Sequence, residues 1–288
     1  MLQKITLTAI LQAVLFSALI GQVFVPSEEK KYESLIGEVH IFTLFVDTQM
    51  EYWEEEEIDY FYEELLKSQQ WIQEQAEIYG QFVAFNNDYF FRNKEVVYIE
   101  NISMQNSRYA LQKAMDELRF DDFAAFLEAN NFDMKKEKLK LIFFVKDANR
   151  SHAFNYWSST DVDIAIIYCR RTSGMWTDQY VISHEILHQF GAWDLYFGES
   201  QSYEKAEKAK ELYPNSIMIN TYFNKWALEV DELTAWRVGW HHDDKDEYQT
   251  FVPVRTKTKR RRPARSGGTS IKFDFGKKKN KKGKTGDH

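Results

Sequence analysis

The sequence predicts one α+β domain over residues 38–254, and three observations support this prediction. Hydrophobic residues make up 44% of the 288-residue chain and aromatic residues 16%, which is enough to bury a sizeable core. Segments typical of strands are interspersed with segments typical of helices along one continuous stretch. The chain has a single cysteine, Cys169, which excludes a disulfide framework and a multi-cysteine zinc module and implies no disulfide-linked partner.

Strands are predicted where short segments are rich in β-branched and aromatic residues. They cover residues 38–46, 81–85, 95–100, 139–146 and 162–169. Helices are predicted where apolar residues recur at helical intervals over longer stretches. They cover residues 53–79, 107–130, 177–190 and 225–240, with mainly loops between the last two. The first turns of the longest helix are very acidic, which indicates a solvated face favoured by the helix dipole rather than a cation site.

Both ends of the chain differ from the predicted domain. Residues 5–25 carry no charge, follow Lys4 and contain Gly21 as the best cleavage point, so residues 1–25 are predicted to be an export signal. A retained membrane anchor is the alternative, because about 20 apolar residues can cross a bilayer. Residues 26–37 are predicted to be a linker, and the protein is expected to be secreted, periplasmic or attached to the cell surface.

The formal net charge of −7 conceals a strong asymmetry. Residues 255–288 contain 14 Lys and Arg residues and 2 acidic residues, so this tail is strongly basic while residues 1–254 are strongly acidic. The tail has too little apolar surface to form a core, and we expect it to be disordered in isolation. Its basic runs suit an anionic polymer or a membrane surface. Few aromatic residues interleave them, so nucleic acid is not the expected partner.

One segment, VISHEILHQFGAWDLY, has the spacing of a catalytic metal site. On a helix, His184 and His188 lie on one face and can present two imidazoles to one ion. Glu185 then lies beside the first imidazole, where its carboxylate can hydrogen-bond a water molecule. Gly191 can end the helix and reverse the chain, which returns Asp194 as a third ligand. Three protein ligands and one open position are typical of catalytic zinc.

This string resembles the metzincin-type zinc metallopeptidases, in the short-spacer form His-Glu-x-x-His-x-x-Gly-x-x-Asp of the snapalysin group. Asp194 then replaces the usual third histidine. The segment YPNSIMIN, residues 213–220, resembles the Met-turn of that family, which implies that Met218 lies beneath the zinc ligands. The resemblance also implies a mixed twisted sheet, an active-site helix, and an edge strand ahead of that helix that pairs with extended substrate. The predicted strand that begins at Val162, residues 162–169, corresponds to that edge strand.

Two features depart from the family pattern. Metzincins with a tyrosine ligand place it two residues after the Met-turn methionine, where this chain has Asn220, and Tyr222 is offset from that position. The cysteine-switch prosegment is also absent, because Cys169 lies in a predicted strand and is interpreted as a small core residue.

The sequence therefore predicts an exported zinc endopeptidase that acts on a protein or peptide. One zinc ion, bound by His184, His188 and Asp194, would activate water, and Glu185 would serve as the general base. His241 and His242 are alternative candidates for the third ligand. His152 is interpreted as a surface residue that could contact substrate. The competing hypotheses are an inactive zinc-containing adhesion domain and a binder of polyanions or nucleic acid that uses the basic tail.

Overall fold

The computed structural model describes residues 33–102, 107–154, 162–170, 174–198 and 200–253. The predicted export segment, residues 1–25, and the predicted basic tail, residues 255–288, lie outside these residues. Within the described ranges, no helix combines the length and the apolar character that crossing a bilayer requires.

The centre of the fold is a mixed sheet, described as six strands in the order β2-β1-β4-β6-β5, with β3 also paired to β1. The strands are β1 (Gly37–Asp47), β2 (Val83–Asn86), β3 (Glu95–Tyr98), β4 (Leu139–Ala148), β5 (His152–Phe154) and β6 (Asp163–Arg170). All of the pairings are parallel except that of β5 with β6. The fold is therefore α+β, and each of the five predicted strands is present.

Helices cover both faces of this sheet. They are α1 (Glu55–Ile78), α2 (Ser107–Glu117), α3 (Phe123–Ala129), α4 (Gln179–Gln189), α5 (Tyr203–Leu212) and α6 (Glu232–Arg237), with 3₁₀ turns at Lys225–Ala227 and Asp246–Phe251. Alternate side chains of the central strands enter two separate apolar clusters, one on each face. In β1, for example, Val39 and Ile41 belong to one cluster, whereas Phe42 and Leu44 belong to the other. Because both faces are covered, these strands have nearly continuous apolar sequences.

Two helix predictions and one loop prediction were wrong in detail. The helix predicted at 107–130 is two helices, because Arg119 has a φ of 66° and Asp122 caps α3 by accepting from Ala125 N at 2.8 Å. In place of the helix predicted at 225–240, the structure has a 3₁₀ turn at Lys225–Ala227 and the separate helix α6, which is capped by Asp231. The predicted loop stretch contains α5, whose side chains are mostly charged and whose buried residues are only Ala206 and Ala209.

The folded body begins earlier than the predicted boundary at residue 38. Leu35 is fully buried, its N–H donates to the Val238 carbonyl at 2.8 Å, and its carbonyl accepts from Trp240 Nε1 at 2.6 Å. Gly239 has a φ of 88°, and a Cβ at that position would lie 2.7 Å from Cβ of Ser34. The last residues of the predicted linker are therefore part of the packed structure.

The prediction that residues 162–169 form an edge strand was wrong. The corresponding strand, β6, lies inside the sheet, because β5 pairs antiparallel along its outer side at Ile164, Ala165 and Ile166. Among the described strands, the edge position on this side belongs to β5, which was not predicted because three residues are too few to show an alternating pattern. Cys169 is fully buried in β6, as predicted for a core residue, and burial raises the pKa of its thiol.

Candidate metal centre

Helix α4 carries the motif and lies between α1 and the sheet, with polar contacts to both. It begins at Asp178, whose carboxylate accepts from Tyr180 N at 3.2 Å. On the α1 side, the hydroxyl oxygens of Ser183 and Ser68 are 2.9 Å apart. On the sheet side, Gln189 Nε2 donates to the carbonyls of Leu141 and Asp163 at 2.9 and 3.1 Å. These polar contacts fix the helix in rotation as well as in position.

His184, His188 and Asp194 converge as the spacing predicted. The two Nε2 atoms are 3.0 Å apart, and Asp194 Oδ1 lies 3.3 Å from Nε2 of His184 and 3.0 Å from Nε2 of His188. Among the described residues, these three form the group of histidine and carboxylate side chains whose ligand atoms are close enough together to hold one metal ion. The reserve ligand candidates, His241 and His242, do not belong to it.

A glycine turn brings Asp194 back to the helix. Gly191 has a φ of 94°, its N–H donates to the His188 carbonyl at 3.0 Å, and the next N–H, of Ala192, donates to Leu187 at 3.1 Å. This pair of bonds is the Schellman pattern, which ends a helix with a residue of positive φ. Arg237 Nε donates to the Gly191 carbonyl at 3.0 Å, so the turn is also held from α6.

Backbone carbonyls orient both imidazoles. His184 Nδ1 donates to the Ile217 carbonyl at 3.1 Å, and His188 Nδ1 donates to the Ala192 carbonyl at 2.8 Å. Because a carbonyl can only accept, Nδ1 carries the hydrogen of each neutral ring and Nε2 carries the lone pair. Both lone pairs therefore face the shared centre, which is the usual arrangement of histidine ligands.

The cluster is electrostatically suited to a cation. Burial alone would lower the pKa of His188, but the charge and hydrogen bond of Asp194 outweigh it and raise the pKa to about 9. Burial opposes the charge on Asp194, but His188 and His184 together hold its pKa well below the usual range. A metal ion would take the place of the proton that these groups hold between them.

Glu185 points into the same buried region. It is 4% exposed, and its Oε2 has no hydrogen-bond partner among the described residues. Burial raises the pKa of its carboxyl group. An unpartnered buried carboxylate oxygen beside two imidazoles and a carboxylate fits a site that could hold a metal ion and a water molecule.

Met218 lies in a tight turn next to the carbonyl that orients His184. Its side chain is fully buried, its N–H donates to Ser216 Oγ at 3.1 Å, and its carbonyl accepts from Leu195 N at 3.0 Å. Asn220 instead closes the next turn, because its Oδ1 accepts from the N–H groups of Tyr222 and Phe223 at 3.0 and 2.9 Å.

Tyr196 and Arg150 also lie at the site, although neither was predicted from the sequence. The Tyr196 ring is stacked on the His184 ring with centroids 6.4 Å apart. Arg150, in the β4–β5 loop, hydrogen-bonds the Tyr196 hydroxyl, and its Nη2 lies 3.8 Å from Asp194 Oδ2. Tyr196 follows Asp194 by two positions and could have been considered on that ground. Arg150 had no local sequence signal, because only the sheet brings its loop to the site.

The remaining histidines have other surroundings. His152 Nδ1 donates to the Arg150 carbonyl at 3.1 Å, which places it on edge strand β5 beside the arginine loop. His241 Nε2 donates to the Glu232 carbonyl at 2.8 Å, and its ring stacks on Tyr79 at 6.0 Å.

Neither a comparison with protein-family profiles nor a comparison with curated proteins finds a match for this chain.

Proposed function

We propose that this protein is an exported zinc-dependent endopeptidase of the metzincin type. The observation that carries the proposal is the convergence of His184, His188 and Asp194, with the unpartnered Oε2 of buried Glu185 beside them. The mixed sheet, the active-site helix and the buried turn at Met218 are compatible with a metzincin fold. Export rests on the sequence of residues 1–25.

The ligands would hold one zinc ion through Nε2 of His184, Nε2 of His188 and Oδ1 of Asp194. When bound, zinc supplies a Lewis acid that polarises a carbonyl group and makes water more acidic. Glu185 would take the proton of the attacking water at Oε2 and deliver it to the leaving amine. Its burial, which raises its pKa, brings it nearer to the neutral range in which a general base works best.

Tyr196 would stabilise the negative charge that develops on the carbonyl oxygen. A guanidinium has only donors, so the Tyr196 oxygen accepts from Arg150 and keeps its own hydrogen for another acceptor. Among the described residues, none accepts that hydrogen. A hydroxyl aimed at a developing oxyanion is an effective form of electrostatic catalysis.

Substrate would bind along β5. This strand is the edge of the described sheet on the side of the metal centre, and an edge strand can hold an extended peptide through main-chain hydrogen bonds. His152 on β5 would then lie beside the bound peptide and could contact it.

The decisive experiment compares Glu185→Gln with the parent protein in zinc content and in cleavage of a peptide library. We expect Glu185→Gln to retain about one zinc per chain and to lose cleavage, because the amide cannot accept a proton. Glu63→Gln, on the exposed face of α1, is the matched control and should cleave normally. Unchanged cleavage by Glu185→Gln would refute the mechanism. A parent protein that binds zinc but cleaves no peptide would support the inactive zinc-containing domain instead.

A further inference from the structure

Asp231 is a buried carboxylate outside the metal centre, and it is only 4% exposed. It caps α6 by accepting from Thr234 N at 3.0 Å, and its Oδ2 accepts from Thr234 Oγ1 at 2.6 Å. The same Oδ2 also accepts from Ser216 Oγ at 2.5 Å, and Ser216 lies outside α6, 15 residues earlier in the chain. Capping alone does not require this third bond. Asp122, the exposed cap of α3, accepts from a backbone N–H within its own helix.

The bond to Ser216 has a defined direction. A carboxylate can only accept, so the Ser216 hydroxyl donates its single hydrogen to Asp231. The oxygen of the hydroxyl then has lone pairs left, and one of them accepts from Met218 N at 3.1 Å. Ser216 is fully buried, so water cannot replace either bond. Asp231 therefore orients the Ser216 hydroxyl, which holds the turn at residues 216–219 together with the backbone bond from Ile219 N to the Ser216 carbonyl at 3.1 Å.

That turn is connected to both segments that bear the proposed ligands, helix α4 and the loop that contains Asp194. The Ile217 carbonyl accepts from His184 Nδ1 at 3.1 Å, while the Ile217 N–H is fixed by the Glu229 carbonyl at 3.0 Å. The Met218 carbonyl accepts from the N–H of Leu195, the residue after Asp194, at 3.0 Å. A change in the closure of the turn would therefore move the acceptor of His184 and the anchor of the Asp194 segment together.

We propose that Asp231, acting through Ser216, is a positioning residue for the metal centre: it holds the Ile217 carbonyl where it keeps the hydrogen of His184 on Nδ1. This inference rests on the proposed metal site. It adds a residue that has no contact with the ion or the substrate but that determines the tautomer and direction of one ligand. Groups of this kind commonly change metal affinity by about 10- to 100-fold.

The test uses two substitutions, each of which removes one of the two hydroxyl groups that donate to Asp231 Oδ2. Ser216→Ala removes the bond on the side of the turn, and Thr234→Val removes the bond on the side of the helix. Three quantities are measured: zinc affinity by chelator competition, the tautomer of His184 in metal-free protein by ¹⁵N NMR, and stability in urea. Both hydroxyls are buried, so both variants should lose stability.

We expect Ser216→Ala to lower zinc affinity by about 10-fold or more and to mix the His184 tautomers. Thr234→Val should leave both properties unchanged. Equal losses of zinc affinity in the two variants would overturn the proposal, because Asp231 would then act only through stability. No loss of zinc affinity in Ser216→Ala would also overturn it, because the bond to Ser216 would then have no effect on the metal centre. If Ser216→Ala is too unstable for titration, the rise in Tm on adding zinc gives the same comparison. None of these measurements needs a peptide substrate, and the NMR measurement needs no zinc, so failure of the proposed function would be seen separately.

Discussion

Gly191→Ala isolates the turn that returns Asp194 to the metal centre. The φ of Gly191 is 94°, in the region that L-residues avoid because the Cβ approaches the backbone. The strain of an L-residue there is about 1–2 kcal/mol. Alanine also restricts the unfolded chain, which restores about 0.4–1 kcal/mol of stability. The expected net loss in the free energy of unfolding is therefore about 1 kcal/mol, or about 2–4 °C in Tm for a body of this size.

The change should affect the metal centre more than its stability cost suggests. The turn positions Asp194 Oδ1 at 3.0 Å from His188 Nε2, and both N–H bonds of the Schellman pattern depend on the backbone at Gly191. Relief of the strain would rotate this backbone and move the carboxylate. We therefore expect lower zinc affinity together with the lower Tm.

Gly198→Ala is the matched control for this prediction. Gly198 does not have a positive φ, and a Cβ there would lie 3.6 Å from the Tyr196 ring, which is an ordinary contact. Differential scanning calorimetry and chelator competition on both variants provide the two readouts. If Gly191→Ala matches the parent in Tm and zinc affinity, or if Gly198→Ala loses as much as Gly191→Ala, the argument from the turn is wrong.

Three further predictions concern groups around the sheet and the site. Lys140→Met removes a cation that is 2.6 Å from the mostly buried Asp163, and we expect a loss of about 3–5 kcal/mol in urea unfolding. A loss of about 1 kcal/mol or less would mean that the pair behaves like an exposed one. Burial lowers the pKa of His152 below 6.5, so the unfolded chain takes up a proton first and stability falls as the pH drops below 6.5. His152→Gln should flatten that part of the stability profile, and an unchanged slope would contradict the assignment. Tyr196→Phe should keep its zinc but lower kcat by about 10²- to 10³-fold, and normal turnover would remove Tyr196 from the mechanism.

The strands and the long helix could be predicted because their signals are local. The apolar run of β4 and the helical periodicity of α1 are long enough to indicate structure without knowledge of neighbours. The two-residue shift of α1, which starts at Glu55 rather than at residue 53, reflects the capping box of Glu54 and Glu57. Strand β5 and helix α5 could not be predicted, because one is three residues long and the other buries almost none of its surface.

The candidate site likewise contains some residues that the sequence predicts and others that it does not. His184, Glu185 and His188 share one helix and Gly191 ends it, so spacing alone was sufficient to place these residues and Asp194 together. Tyr196 was not predicted, because the family pattern places its tyrosine two residues after the Met-turn methionine and not two residues after the third ligand. Arg150 and Asp231 reach the site from other parts of the chain, and no spacing rule connects them with the motif.

The sequence by itself determined the α+β composition, the order of the main elements and the donor set of the candidate metal centre. Periodicity and ligand spacing are short-range properties, and they are present in the chain before it folds. The tertiary structure decided which strand is the edge, which carbonyls orient the imidazoles and which side chains support the site. Those outcomes depend on sheet pairing and on hydrogen bonds between residues far apart in the chain, such as Ser216 Oγ with Asp231 and His184 Nδ1 with Ile217.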